Sequence, residues 1–188
     1  TRVTFLAPAS VFRRLPNAVQ GDPPFFLFVG KISGRRSLPH LLEAFALFKA
    51  KTTHPHRLYL VGLNPHNLEL GKITEGLRIA PHIHYCGYVS DEELNGLYNS
   101  AQGFVMPAVY ESSSLPVMEA QAAGLPVICL NTSGMREITD GAALLVERLD
   151  PTLLFEAMVR MAEDAGLRER LSMAGLASAT RFSWERCS

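Results

Sequence analysis

The feature that most constrains the fold of this chain is a series of short, continuously apolar segments, separated by longer segments with helical patterning. Apolar runs of this length are typical of strands that are buried on both faces, and the helices between them supply the covering layers. The alternation therefore predicts an α/β protein with a doubly wound parallel sheet of about six strands and helices on both faces. The predicted strands are FFLFV (25–29), RLYLVG (57–62), IHYCG (83–87), GFVMP (103–107), PVICLN (126–131) and AALLV (142–146).

Cap signals mark the ends of several predicted helices. Ser37 is suited to cap the first helix, and Ser90 with Glu93 three positions later has the pattern of a capping box. Gly124 is placed to end the fourth helix. The predicted helices are 38–51, 66–79, 90–101, 115–123 and the closing segments 151–164 and 166–180.

The N-terminal stretch does not join the alternation. Residues 1–24 are rich in proline, so we expect a linker or an incoming connection there. One folded domain is expected over residues 25–188, because a chain of 188 residues with 47% hydrophobic residues can bury a sizeable core.

Composition argues against several classes of partner. Eighteen basic residues balance 18 acidic ones, so no net field would gather nucleic acid or anionic lipid, and a bound anion needs a local site. No apolar run approaches the roughly 18 residues that span a membrane.

The three cysteines form no CxxC pair, which favours buried thiols in a reducing compartment; they are Cys86, Cys129 and Cys187. We expect a cytoplasmic protein, or a full-length protein that docks at the inner face of a membrane.

In open parallel sheets, ligands bind beyond the carboxyl ends of the strands. The loops at 30–37, 87–90 and 107–115 each follow a predicted strand, so all three should open on that edge. The last of them leads into the segment ESSSLPVMEAQAAGLPV, which spans residues 111–127.

The serines of this segment lie where a helix should start. If the helix begins at Leu115, the backbone N–H groups of about Ser113 to Val117 lack intrahelical acceptors. Together with the positive end of the helix dipole, these donors form an anion site. The alternative is that Ser113 or Ser114 only caps the helix.

Two carboxylates flank the predicted anion site. Glu111 lies in the loop before it, and Glu119 lies about one turn inside the helix. A carboxylate can accept two hydrogen bonds from a vicinal diol, such as a ribose or the edge of a hexose. Diol, phosphate and diol together describe a nucleotide sugar. The alternative is that Glu119 is only a favourable charge in the first turn.

The loop GKISGRR (30–36) carries the only clustered cations near this edge. Gly30 would let a phosphate approach the strand end, while Lys31, Arg35 and Arg36 supply positive charge. The order of residues is not that of a P-loop, and no GxGxxG occurs in the chain. A solvated basic turn is the alternative for any single residue here.

A bound metal is not expected. The chain contains no DxD, and His82 and His84 offer two ligands without a nearby third. No GxSxG is present either, so the serines are not expected to act as nucleophiles.

Four segments, taken in order, resemble the C-terminal domain of a GT-B-fold glycosyltransferase of glycosyltransferase family 4 (group 1). They are FVGKIS, IHYCGYVSDEELNGLYNSAQGFVMPAVYESSSLPVMEAQAAGLPVI, SGMREITDGAALLV and RFSWERCS. The second contains Glu111 and Glu119 at the spacing of the E-x7-E pair of that family. The resemblance runs from about residue 25 to the end and implies a Rossmann-like domain, one half of a GT-B fold.

The resemblance also implies roles by position. Catalytic roles fall to Glu111, towards the donor sugar, and to Lys31 and Arg36, towards the diphosphate. Glu119 would hold the ribose, and the backbone near Tyr88 and Val89 would meet the base. The full set implied to bind the donor is Gly30, Tyr88, Val89, Ser113, Ser114, Leu115 and Glu119.

This chain departs from the family pattern at two places. Lys31 and Arg36 stand where the family often has arginine and then lysine, and lysine lacks the bidentate fork of arginine. ESSSLP replaces the common EGFGLP, so the freedom of the glycine backbone is lost in the loop that contacts the donor sugar.

The resemblance implies the donor-binding half of a metal-independent, retaining enzyme that needs no cofactor. Such an enzyme transfers a sugar from a UDP-, GDP- or ADP-linked donor to a glycan, lipid or small-molecule acceptor. An N-terminal domain would supply the acceptor site, so we expect this chain alone to bind a nucleotide sugar and transfer nothing. The alternatives are a non-catalytic regulatory or protein-interaction module, and a sugar-nucleotide epimerase or phosphorylase of the same fold.

Overall fold

The computed structural model describes residues 7–33, 36–110 and 114–182 of the chain. Its centre is a six-stranded sheet in the order β3-β2-β1-β4-β5-β6, and all paired strands are parallel. The strands are β1 (Phe25–Val29), β2 (Arg57–Val61), β3 (Ile83–Gly87), β4 (Gly103–Met106), β5 (Val127–Leu130) and β6 (Ala143–Val146). All six predicted strands are confirmed; the bounds of β1 and β3 are as predicted, and those of the other four differ by one residue at one end or both.

Helices cover both faces of the sheet. They are α1 (Leu38–Lys51), α2 (Leu70–Gly76), α3 (Asp91–Ser100), α4 (Leu115–Ala122), α5 (Ser133–Thr139), α6 (Pro151–Glu163) and α7 (Ala165–Ala179). A 3₁₀ turn lies at Ala80–His82. Helix α1 packs against α6, while α4 packs against α3, α5 and α7. The α/β, Rossmann-like fold predicted from the alternation is therefore confirmed.

The sheet is buried most completely at its centre. Every residue of β1, β4 and β5 is buried, whereas the edge strand β3 contains no fully buried residue. Central strands have helices on both faces and a neighbour on each side, so apolar side chains at every position can be excluded from water. That is why their sequences are continuous apolar runs.

Three local predictions were wrong or incomplete. Ser37 does not cap α1, because it has a left-handed backbone (φ 56°) and its side chain makes no cap hydrogen bond. The helix predicted at 66–79 is shorter, because the side chain of Asn64 bonds both the N–H and the carbonyl oxygen of Leu68 and holds a turn there. Helix α5 was not predicted, since its sequence is short and contains Gly134.

The Ser90–Glu93 capping box and the end of α4 before Gly124 are confirmed.

The described part of the N-terminal stretch, residues 7–24, contains no helix or strand and lies against α3. The backbone N–H of Arg13 donates to Asn95 Oδ1, and that of Leu15 donates to Asn99 Oδ1. Phe12 is buried in the core. The assignment of residues 1–24 to a linker and the domain boundary at residue 25 stay predictions.

Candidate functional site

The strand order defines one crevice at the carboxyl edge of the sheet. From the centre, β1, β2 and β3 proceed in one direction, and β4, β5 and β6 proceed in the other. The connections after β1 and β4 therefore leave in opposite directions, which opens a cleft between them. The loop after β1 carries Lys31 and Arg36, and the loop after β4 leads into α4. The structure thus brings the predicted basic loop and the predicted serine loop to adjacent strand ends.

Close backbone packing shapes the β1 side of the cleft. Gly30 N–H donates to Val61 O at 2.9 Å, and Gly62 N–H donates to Gly87 O at 2.8 Å, so the ladder continues past the strand ends. A Cβ on Gly62 would lie 2.0 Å from Gly30 O, and Gly62 has a φ of 135°. The glycine at the end of β1 thus meets a second glycine at the end of β2, which the sequence reading did not anticipate.

The two predicted diphosphate contacts belong to the loop after β1. Lys31 is exposed, while the next residue, Ile32, is fully buried and its N–H donates to Leu63 O. A Cβ on Gly30 would lie 3.9 Å from Arg36 Nε, so the Arg36 guanidinium lies at the carboxyl end of β1. Arg35 lies outside the described residues.

Helix α4 begins at Leu115, as predicted, but it presents fewer free donors than expected. The N–H of Val117 donates to Ser114 O at 3.1 Å, and Pro116 has no N–H. Within the described residues, only the amides of Ser114 and Leu115 remain without an acceptor at this helix start. The first turn is tightened, because the carbonyl oxygen of Ser114 accepts from the amides of both Val117 and Met118.

Ser114 is itself fully buried, and its hydroxyl has no hydrogen-bond partner in the part of the chain that the structure describes. Buried hydroxyls are normally paired, so the Ser114 hydroxyl is an exception at the start of the helix. Glu111 and Ser113 lie outside the described residues, and their roles stay predictions.

Glu119 lies one turn inside α4 and is half-buried. Its Oε2 accepts a hydrogen bond of 3.0 Å from the hydroxyl of Tyr98, which α3 contributes. Burial raises the pKa of Glu119, the hydrogen bond from Tyr98 lowers it, and the negative charge of Asp91 raises it. Burial beside this carboxylate also raises the pKa of Tyr98 well above its ordinary value. Sequence reasoning missed Tyr98, because a tyrosine on the apolar face of a helix is indistinguishable from an ordinary core residue.

The predicted base site lies at the end of β3. Tyr88 is 75% exposed and Val89 is half-buried, directly after Gly87 and before the start of α3. Strand β3 is two positions from β1 in the sheet, a separation of about 10 Å. That distance suits a nucleotide whose phosphates lie at β1 and β4 and whose base lies near β3.

A cavity of about 440 Å³ in the described part of the chain lies elsewhere. Its lining includes Gln102 and Pro126, which precede β4 and β5, so it opens at the amino edge of the sheet. The candidate site remains at the carboxyl edge, because ligands of open parallel sheets bind beyond the carboxyl ends of the strands.

Neither a metal cluster nor a membrane span was found in the part of the chain that the structure describes. No three histidine, cysteine or acidic side chains come together there as a metal site would require, and no helix has the length and apolarity to cross a bilayer. The expectation that no metal is needed stays a prediction.

Comparison with known proteins places the chain in a family. Residues 13–177 match the family model described as glycosyl transferases group 1. The O-antigen chain mannosyltransferase B of Escherichia coli is 33% identical over 165 residues, which are 87% of this chain and 43% of that protein. The chain spans less than half the length of the curated relatives that it matches first.

Solved structures of other proteins have the same fold as this chain. HepE of Anabaena, in complex with UDP and glucose, has a TM-score of 0.84 at 15% identity, over 100% of this chain and 54% of HepE. The C-terminal domain of the group 1 glycosyl transferase LpcC of Francisella tularensis has a TM-score of 0.79 at 20% identity, over 93% of this chain and 97% of that domain. These two matches show the fold, and the family match over residues 13–177 shows the membership: this chain belongs to the group 1 glycosyl transferases.

Proposed function

We propose that this chain is the nucleotide-sugar-binding half of a metal-independent, retaining glycosyltransferase of the cytoplasm. A UDP-, GDP- or ADP-linked sugar would be the donor, and a glycan, lipid or small molecule would be the acceptor. An N-terminal domain of the full-length protein would bind the acceptor, so this chain alone would transfer nothing. The names of the relatives support the transferase class, and the complex of HepE with UDP and glucose supports a nucleotide-sugar donor.

One observation carries the proposal: a cation and backbone amides without acceptors in the described part of the chain lie at the two adjacent strand ends where the strand order reverses. Arg36 lies at the end of β1, and the amides of Ser114 and Leu115, which have no acceptor within the described residues, lie at the start of α4 beyond the end of β4. A diphosphate in this cleft would receive charge-assisted hydrogen bonds from both sides.

The rest of the donor follows from this placement. Glu119 on α4 would accept hydrogen bonds from the ribose hydroxyls, and the base would lie towards Tyr88 and Val89 at the end of β3. Glu111 would contact the donor sugar, and the backbone around Ser113 to Leu115 would complete the diphosphate site. When the bond between the anomeric carbon and the diphosphate oxygen breaks, the electron pair leaves with the diphosphate. Lys31, Arg36 and the α4 amides would stabilise that developing charge.

Titration calorimetry tests the binding step. We expect the chain to bind at least one of UDP, GDP, ADP or their sugars, with the same affinity in magnesium as in EDTA. Glu119→Ala should weaken binding by about tenfold or more, because hydrogen bonds to a charged group are lost. The matched control is Glu156→Ala, which removes an exposed carboxylate from α6.

Several outcomes of these measurements would contradict parts of the proposal. Failure to bind any of these nucleotides would support a non-catalytic module, and a Glu119→Ala variant that binds like the parent would contradict the site. Loss of binding in EDTA would contradict metal independence. Cleavage of a nucleotide sugar by this chain alone, followed by NMR, would contradict the proposal that the isolated half is inactive.

A further inference from the structure

Tyr98 is built into the apolar core but points its one polar atom at the site. The residue is 1% exposed, and its ring makes edge contacts with Phe12 (centroids 5.9 Å apart) and Phe104 (5.8 Å). Its hydroxyl donates to Glu119 Oε2 at 3.0 Å, the only hydrogen bond that this hydroxyl makes within the described residues.

The geometry fixes which oxygen of Glu119 is engaged. The two flanking phenylalanines offer no acceptor, and a buried hydroxyl without a partner is costly, so Tyr98 requires the carboxylate. Glu119 Oε1 makes no hydrogen bond within the described ranges. One oxygen is therefore held from the core side, and the other is available to a ligand.

We propose that Tyr98 is a positioning residue for ribose recognition, an inference that rests on the proposed function. By holding Oε2, Tyr98 sets the rotamer of Glu119 and leaves Oε1, with two lone pairs, to accept from the 2′- and 3′-hydroxyls of a ribonucleotide. A carboxylate held in this way is ordered before the ligand arrives, so less side-chain freedom is lost on binding. Tyr98 does not touch the nucleotide and acts only through Glu119.

The inference makes a prediction that depends on the ligand. Tyr98→Phe keeps the ring and its packing and removes only the hydroxyl. We expect this variant to bind the preferred ribonucleoside diphosphate about tenfold more weakly, the size of one charge-assisted hydrogen bond. Its affinity for the 2′,3′-dideoxy analogue should stay within about twofold of the parent, because no diol is present to use the carboxylate. If the role of Tyr98 were purely structural, Tyr98→Phe would weaken the binding of both ligands equally.

A second readout does not require a ligand. The groups whose charge or hydrogen bond acts on the Glu119 carboxyl are Tyr98 and Asp91, both from α3. Since the Tyr98 hydrogen bond stabilises the ionised carboxyl, Tyr98→Phe should raise the pKa of Glu119. Carboxyl-carbon NMR of the labelled chain would follow this titration. The acid limb of ribonucleotide binding should shift to higher pH by the same amount.

Tyr59→Phe is the matched control. Tyr59 lies in β2 with its ring stacked on Phe25, at a centroid distance of 4.1 Å. The control should leave the ribose-to-dideoxy affinity ratio and the Glu119 titration unchanged. The positioning role would be overturned if Tyr98→Phe lost the same affinity for both ligands, or if the pKa of Glu119 did not change. The proposed function would stand in either case. A parent chain that binds no nucleotide would overturn the proposed function and this inference together.

Discussion

At the scale of the residue, the tightest constraint at the site is the contact between Gly62 and Gly30. Gly62→Ala would place a methyl group 2.0 Å from the Gly30 carbonyl oxygen at a φ of 135°. Neither backbone can withdraw without breaking the ladder between β1, β2 and β3. We expect the variant to lose about 3 kcal/mol or more of its free energy of unfolding in urea.

The matched control for this prediction is Gly96→Ala. Gly96 lies within α3, and a Cβ there would meet nothing within 4 Å. Alanine is the better helix former, so this variant should gain about 0.5–1 kcal/mol. Equal stabilities for the two variants would contradict the close approach at the site.

A second residue-scale prediction concerns His56, which is 3% exposed. Its ring stacks on Phe26, and its Nε2 lies 2.6 Å from Gln102 Oε1. Burial lowers the pKa of His56 below its ordinary value of 6.5, and the hydrogen bond with Gln102 opposes this. The His56 ring therefore binds a proton more readily in the unfolded chain than in the folded one. Its contribution to the free energy of unfolding is fully present above about pH 6.5 and is lost as the pH falls below that value.

We expect the free energy of unfolding to decrease between about pH 7 and pH 5 for this reason. His56→Phe keeps a ring against Phe26 and cannot titrate, so its unfolding should depend less on pH over that range. Denaturation in urea at several pH values would measure both chains. The same pH dependence in the variant would show that other groups govern the acid loss.

At the scale of the element, the start of α3 shows what a cap contributes. Ser90 accepts from the N–H of Glu93, and Glu93 in turn accepts from the N–H of Ser90. Ser90→Ala removes the side chain from this box and should cost about 1 kcal/mol in urea denaturation. Helix α3 also carries Tyr98, so the cap fixes the element that positions Glu119.

Ser37→Ala provides the comparison for this prediction. Ser37 precedes α1 but makes no cap hydrogen bond, so its loss should cost only a few tenths of a kcal/mol. A cost at Ser37 equal to that at Ser90 would contradict this description of the two helix starts.

At the scale of the whole molecule, the reactivity of a thiol shows whether the part of the sheet around it has unfolded. Cys129 lies in β5, between β4 and β6, and burial raises its pKa to about 12. Cys86 lies in the edge strand β3 and is only half-buried. Both are free thiols; the prediction of buried thiols is confirmed for Cys129 but not for Cys86, and Cys187 lies outside the described residues.

In the native chain, an alkylating reagent should modify Cys86 well before Cys129, because only an accessible thiolate reacts. Cys129 should become reactive only through the urea transition that unfolds the sheet. Mass spectrometry of peptides would follow each site separately. Rapid modification of Cys129 without denaturant would show that β5 opens independently of the rest.

Much of the fold could be predicted from local sequence. Central strands are continuous apolar runs because both of their faces are buried, and the Ser90 box and Gly124 mark helix ends through contacts a few residues apart. Helix α5 and the turn at Asn64 escaped prediction, since a short helix has little periodicity and a side-chain turn competes with a helix.

The sequence by itself determined the strands, the parallel sheet and the loops that open on one edge, because these depend on the period of apolar residues and on neighbours along the chain. Only the tertiary structure decided that β1 lies beside β4, that Gly62 meets Gly30 and that Tyr98 holds Glu119. Those contacts join residues on different elements, and no local pattern encodes them. They arise because packing helices on a sheet selects one arrangement of the core.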